Sequence, residues 1–144
     1  MARPEKVVVD ASVALKWYVA ENWTEEALQM VDDYQKGKID IASVTLMPFE
    51  VLNALRYAQG TNIMELQKVA RSLEKLCLDL HQLEGQLSMR TMENALRYGI
   101  TIYDSSYLSL GETQDAEVYT ADMGLLRKTP ETRLKPISSY LPRS

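Results

Sequence analysis

Four carboxylates carry the chemistry that this sequence can offer: Asp10, Glu50, Asp104 and Asp122. Asp10 and Asp122 each directly follow a β-rich run, Val7-Val8-Val9 and Glu117-Val118-Tyr119-Thr120. Glu50 and Asp104 each fall in the first turn of a helix entered from a strand or loop. In an α/β fold all four reach the carboxyl edge of the sheet, where such folds place their ligands. Gathered there, four carboxylates repel one another strongly unless cations neutralise them. Oxygen-only donors favour Mg²⁺ or Mn²⁺ over zinc, and Mg²⁺ keeps several waters. A divalent cation so held clamps a phosphodiester and activates a water, alone or as one of two ions roughly 3.5–4 Å apart. That chemistry needs neither a nucleophilic serine nor a histidine base. Taken singly, each acid also has an ordinary role: Asp10 ends a strand, Asp104 and Asp122 cap helices, and Glu50 decorates a helix surface. The joint placement at one edge carries the functional reading.

The elements that must position these acids follow from hydrophobic periodicity. An unbroken valine run at residues 7–9 suits a strand buried on both faces of a parallel sheet. Ser12 is expected to open the next helix, to about residue 20, with its hydroxyl free to cap or to hold a water. Thr24 reads as the N-cap of a second helix, with Glu25 and Glu26 at its positive end and Gly37 as its stop. A strand over 39–42 precedes a helix that has Pro48 in its first turn and runs to about Gln59. Leu66, Val69, Ala70, Leu73, Leu76 and Cys77 define a further amphipathic helix. Residues 78–83 alternate as a third strand, and a helix over 84–98 is expected to turn Met89, Met92 and Leu96 inward. A helix beginning near Asp104, a strand over 117–120, a short helix from Asp122 to Leu126 and an edge strand over 134–137 complete the chain. This alternation predicts an α/β class with a doubly wound parallel sheet and helices on both faces.

Length and composition are consistent with one domain over residues 1–144. At this size roughly 70% of the unfolded surface can be buried without staples. The single cysteine, Cys77, excludes an intramolecular disulfide and reads as a small core residue. Lone His81 has no His or Cys partner at ligand spacing and reads as structural or exposed. The N-terminus lacks the apolar region of a signal peptide, and no run approaches a membrane span, so a cytoplasmic protein with no membrane contact is expected. The net charge of −4 is not that of a protein held on nucleic acid by bulk charge. No obvious basic stripe is legible, leaving Lys16, Arg56 and Arg90 as candidate RNA contacts. Glu112 and Asp115 are candidate accessory ligands.

Four motifs resemble, in order and spacing, those of PIN domains, most closely the VapC-type toxins of toxin–antitoxin pairs. They are Val-Val-Asp10-Ala-Ser12-Val-Ala-Leu-Lys-Trp, Pro-Phe-Glu50-Val-Leu-Asn-Ala-Leu, Tyr-Asp104-Ser-Ser-Tyr-Leu-Ser-Leu and Tyr-Thr120-Ala-Asp122. The resemblance spans about residues 6 to 137. It implies a three-layer α/β/α sandwich with a parallel central sheet in strand order 3-2-1-4-5. It also implies a Mg²⁺- or Mn²⁺-dependent endoribonuclease that leaves a 5′-phosphate and a 3′-hydroxyl. Asp10 and Asp104 would be the main metal ligands, Asp122 a further one, and Glu50 the water-positioning carboxylate. Ser12 and Thr120 match supporting positions. The resemblance further implies an RNA substrate, a homodimer and a small antitoxin partner, for which Trp17, Tyr18, Trp23 and Leu28 are a candidate groove.

Other classes fit less well. An aspartyl phosphatase of the haloacid-dehalogenase type needs a second acid where Ser12 stands. A receiver domain needs paired acids after its first strand and a lysine after its last. A catalytically silent PIN-fold binding module and a stand-alone RNA-processing nuclease are the remaining alternatives, which metal binding and a search for an antitoxin would separate.

Overall fold

The computed structural model describes residues 3–58, 60–130 and 132–144. Its strands β1 (Glu5–Val9), β2 (Ile39–Val44), β3 (Asp79–His81), β4 (Glu117–Thr120) and β5 (Leu134–Pro136) form one parallel sheet. Their order is β3-β2-β1-β4-β5, as the resemblance implied. The helices are α1 (Ala11–Leu15), α2 (Thr24–Gln35), α3 (Met47–Arg56), α4 (Ile63–Leu76), α5 (Gly85–Tyr98), α6 (Ile102–Gln114) and α7 (Met123–Lys128), followed by a 3₁₀ turn over Ile137–Ser139.

β1 is central because its valines serve both faces. Val8 packs into one core with Ala42, Val51 and Leu108, while Val7 and Val9 pack into the other with Met30, Ile41 and Ile137. Such alternation is the period-2 geometry of a strand. α6 lies against the sheet on the first face and α2 on the second, giving three layers.

α6 is buried almost all round, and its small residues make that possible. A Cβ at Gly111 would stand 2.3 Å from Val118 Cγ2, so only glycine allows this approach of α6 to β4. On its other side the Ser105 hydroxyl donates to the Thr91 carbonyl at 2.7 Å, and the Asn94 amide donates to Ser109 Oγ at 2.9 Å. α5 therefore turns Leu87, Thr91, Asn94 and Ala95 inward. Met89, Met92 and Leu96 point outward, contrary to expectation, and Leu96 is 88% exposed. Hydrogen bonding between two closely packed helices has overridden the apolar periodicity.

Several boundaries also differ. α1 is a single turn, with loose turns over residues 16–19. α3 ends at Arg56; the expected end at Gln59 lies outside the described residues. Trp23, not Thr24, is the N-cap of α2, in a left-handed conformation, and the Thr24 hydroxyl instead accepts the Glu21 N–H at 2.8 Å. Cys77 is exposed rather than in the core, because it sits past the last turn of α4 as a left-handed C-cap. β3 is shorter than residues 78–83, and His81 Nε2 pairs with Asp79 at 3.0 Å, a structural contact.

Candidate active site

From β1 the chain moves outward through β2 to β3, then returns to β4 on the other side of β1. The crevice between the carboxyl ends of β1 and β4 is thus the point at which strand order reverses, the usual ligand position in open α/β sheets. Asp10 is the first residue beyond β1. Its N–H donates to the Tyr119 carbonyl at 3.2 Å, which extends the β1–β4 ladder by one step. Asp10, rather than Ser12, caps α1, accepting the Val13 N–H on Oδ1 at 3.2 Å.

Ser12 and Thr120 have a matched role. The Ser12 hydroxyl accepts the Ala121 N–H at 2.8 Å and donates to Asp10 Oδ1 at 2.5 Å. The Thr120 hydroxyl accepts the Asp122 N–H at 3.0 Å and donates to Asp10 Oδ2 at 2.5 Å. Each fixes one carboxylate oxygen and ties it to the loop that carries Asp122. Both therefore orient Asp10; Oδ1, which also accepts the Val13 N–H, is fully engaged, and Oδ2 keeps a lone pair.

Burial pushes the Asp10 carboxyl up to about 6, against the pull of Ser12, Thr120 and Val13, and the nearby charge of Asp104 adds to the rise. Asp104, in the first turn of α6, is raised for the same first reason and then by Asp122, with Thr101 and Lys128 acting in the opposite sense. Thr101 caps α6, its hydroxyl accepting the Asp104 N–H at 3.0 Å; the expectation that Asp104 itself is the cap is corrected. Asp122 does cap its helix, accepting the Leu125 N–H at 3.0 Å. Asp104, Asp122, Thr101 and Lys128 line one cleft of about 190 Å³. Glu50, on α3, accepts the Tyr107 hydroxyl at 2.5 Å, and Asp10 and Asp104 lie close enough to raise the Tyr107 pKa along with Glu50, after burial as the first cause. Glu50 also borders an apolar hollow of about 700 Å³ between α3 and α4, walled by Phe49, Leu52, Leu66 and Tyr103.

The donor set suits a hard divalent cation: every group is an oxygen, and two of the acids are short of positive charge. Among the described residues no three His, Cys, Asp or Glu side chains draw together into a ready-made cage. An open arrangement of this kind fits an ion that retains waters as ligands, as Mg²⁺ does.

Other candidates fall elsewhere. Asp115 is the C-cap of α6, eleven residues and thus ~16 Å from Asp104 along the helix, and is paired with Arg133. Glu112 is held by Asn94 and Arg90. Lys16 is buried and paired with Glu21, so of the expected RNA contacts only Arg56 borders the hollow. Trp17 packs partly buried against both cores, its Nε1 donating to the Ala27 carbonyl at 3.0 Å, and Tyr18 packs against the first, while Trp23 and Leu28 are exposed. Tyr107 and Lys128 had not been singled out. For Tyr107 the sequence carried a usable signal, since it stands three residues after Asp104 and so on its helix face.

No family model matches the chain. A curated relative, Ribonuclease VapC3 from Pyrobaculum aerophilum, is 28% identical over 130 residues, covering 87% of this chain and 95% of that one. The crystal structure of PAE2754 from the same organism is 25% identical with a TM-score of 0.60, covering 94% of this chain and 92% of that one. A toxin–antitoxin complex from Klebsiella pneumoniae contains a chain with the same fold, at 11% identity and a TM-score of 0.68, covering 91% of this chain and 97% of its own. With the sheet order observed and the likeness running through nearly the whole of both chains, the chain shares the fold of these structures and is similar to Ribonuclease VapC3.

Proposed function

We propose that this chain is an endoribonuclease, the toxin of a toxin–antitoxin pair, which hydrolyses RNA phosphodiesters with Mg²⁺ or Mn²⁺ held by Asp10, Asp104 and Asp122. The observation that carries the reading is Asp10: a buried carboxylate, fixed by two hydroxyls and raised to about 6, beside a second acid at the switch point of the sheet. The cation, when bound, supplies charge stabilisation at the phosphodiester and lowers the pKa of a coordinated water. Glu50 keeps one carboxylate oxygen on the Tyr107 hydroxyl and offers the other to the attacking water. Oxygen from that water bonds to phosphorus as the P–O3′ bond breaks, leaving a 5′-phosphate and a 3′-hydroxyl.

The name of the VapC3 relative supports the ribonuclease class, and the toxin–antitoxin structures support a small inhibitory antitoxin. The outward stripe of Met89, Met92 and Leu96 supports a homodimer, since an exposed apolar stripe marks a contact surface. No described helix is long and apolar enough to cross a membrane, and we place the protein in the cytoplasm.

The test is cleavage of a mixed, partly single-stranded RNA pool with Mn²⁺, Mg²⁺ or EDTA, comparing the natural chain with Asp10→Asn. Metal-dependent cutting that falls at least ~100-fold in Asp10→Asn is expected, a loss of several kcal/mol of charge stabilisation. No cutting together with no Mn²⁺ binding by calorimetry would replace this reading with a silent binding module.

A further inference from the structure

An acidic protein whose proposed site is lined by carboxylates repels the polyanion it is meant to cut, so it needs cations placed locally. Among the described residues, six of the sixteen lysines and arginines stand in ion pairs: Lys6, Lys16, Lys36, Arg90, Arg133 and Arg143. Lys68, Arg71 and Lys75 do not, and all three are exposed on α4. Their spacing of three and then four residues sets them on one helix face, along ~10 Å of helix axis. No other element carries three unpaired cations among the described residues.

These side chains do not simply face bulk solvent. They line one groove of about 1,050 Å³, with Asn62 and Ser72 as neutral polar neighbours and Glu65 as the one carboxylate, at the start of the helix. Gln67 lines both this groove and the hollow bordered by Glu50, so the two adjoin at that side chain. Within the hollow, Phe49 is 73% exposed and Tyr103 is 60% exposed, and the lining Arg56 stands 4.7 Å over the ring of Tyr57 beside it. Exposed aromatics beside a cationic groove are the combination by which proteins hold single strands, stacking bases and tracking phosphates.

We propose that Lys68, Arg71 and Lys75 form the phosphate-tracking arm of the substrate channel. A single RNA strand leaves the acidic edge and crosses the α3–α4 hollow with its bases against Phe49 and Tyr103. Its phosphates then come to rest on the α4 cations. This rests on the ribonuclease reading above and adds the path of the substrate.

The test compares the natural chain with Lys68→Gln, Arg71→Gln and Lys75→Gln combined. A control combines Lys36→Gln, Lys38→Gln and Lys135→Gln, which changes net charge equally. Cleavage of a long single-stranded RNA with Mn²⁺ is followed across a salt series. Each phosphate contact on a single strand contributes about 0.7 to the slope of log affinity against log salt. The α4 variant should therefore lose about 2 from that slope and raise KM about 50-fold at 0.15 M salt, with kcat unchanged. An oligonucleotide too short to reach α4 should be cut equally by all three proteins. Glutamine is a good helix former at exposed positions, so circular dichroism should be unchanged. Equal slopes for natural chain and α4 variant, with cleavage intact, overturn this proposal alone. If that variant also loses binding of an acidic partner peptide, the face belongs to a protein instead. No cleavage by the natural chain overturns the ribonuclease reading and this one with it.

Discussion

Two aspartates lie inside the fold, Asp10 at the carboxyl edge of the sheet and Asp33 within the last turns of α2, and each is met by three hydrogen-bond donors. Asp10 receives the Ser12 and Thr120 hydroxyls and the Val13 N–H. Asp33 receives the Tyr140 hydroxyl at 2.6 Å, the Arg143 N–H at 3.0 Å and the Gln29 amide at 3.0 Å. Yet the Asp10 carboxyl is raised to about 6 and that of Asp33 is lowered. Burial opposes the charge in both. At Asp33 the donors prevail and Lys38 adds positive charge, whereas at Asp10 the added neighbour is another acid, Asp104. Hydrogen bonds alone therefore do not make a buried carboxylate comfortable; at Asp10 the cost of burial outweighs the three donors and at Asp33 it does not, with the neighbouring charge adding to each outcome. Asp33 is complete within the chain and clamps the C-terminal segment. Asp10, under the proposed function, would be completed by a cation from outside.

Neutralising the two aspartates should therefore move stability in opposite directions. For Asp10 the folded pKa lies above the unfolded one, so the penalty is absent below about pH 4, grows as pH rises through 6 and is full at pH 7. A rise of about two units corresponds to about 3 kcal/mol. Asp10→Asn should accordingly stabilise the metal-free protein by about 2–3 kcal/mol at pH 7 and by almost nothing at pH 4 in urea unfolding. For Asp33 the folded pKa is depressed, so its contribution is present above the unfolded value and is lost as pH falls through the folded one. Asp33→Asn should cost about 2 kcal/mol at pH 7, with RNA cleavage unchanged. Equal destabilisation by both substitutions would erase the distinction drawn between them.

The same contrast bears on what was legible in the sequence. Asp10 could be read because it ends a valine run and a loop hydroxyl follows it; strand, edge and acid are local signals. Asp33 was not singled out because its partners Tyr140 and Arg143 lie more than a hundred residues away, and its own neighbourhood reads as an ordinary exposed helix turn. The α4 cations were missed for a related reason: their i, i+3, i+7 spacing is visible, but nothing local says that their counter-ions are absent. The inward face of α5 was misread because Thr91 and Asn94 are buried through partners on α6. The alternation of strands and helices, by contrast, is set by patterns that recur along the whole chain and came through intact, and the strand order is the one the resemblance implied.

The supports of Asp10 give the next comparison. Thr120→Val removes the donor to Oδ2, one of the contacts that hold the Asp10 pKa down, so that pKa should rise further. A ligand carboxylate must be ionised to bind a cation, so the acid limb of the pH–activity profile should move to higher pH. Activity near neutrality should fall about 10- to 100-fold, the usual effect of losing a group that orients a ligand. Thr120→Ser, which retains the hydroxyl, should restore the original profile. An unshifted acid limb in Thr120→Val would show that the hydroxyl supports packing rather than the carboxylate.

A last contrast lies between two tyrosines that each donate to a carboxylate. Tyr107 meets Glu50 at the site and Tyr140 meets Asp33 beneath the C-terminal segment. Tyr140→Phe removes a donor from a carboxylate closed to solvent, so it should cost about 1.5–3 kcal/mol of stability and leave cleavage untouched. Glu50 is only half-buried, so water can replace the Tyr107 hydroxyl, and Tyr107→Phe should change stability by less than about 1 kcal/mol. What it loses is orientation: Glu50 is then free to turn away from the water that the proposed function has it position. kcat should fall about 10-fold with KM unchanged, the pattern of a contact felt in the transition state rather than in binding. A KM effect without a kcat effect would move Glu50 from positioning water to holding RNA.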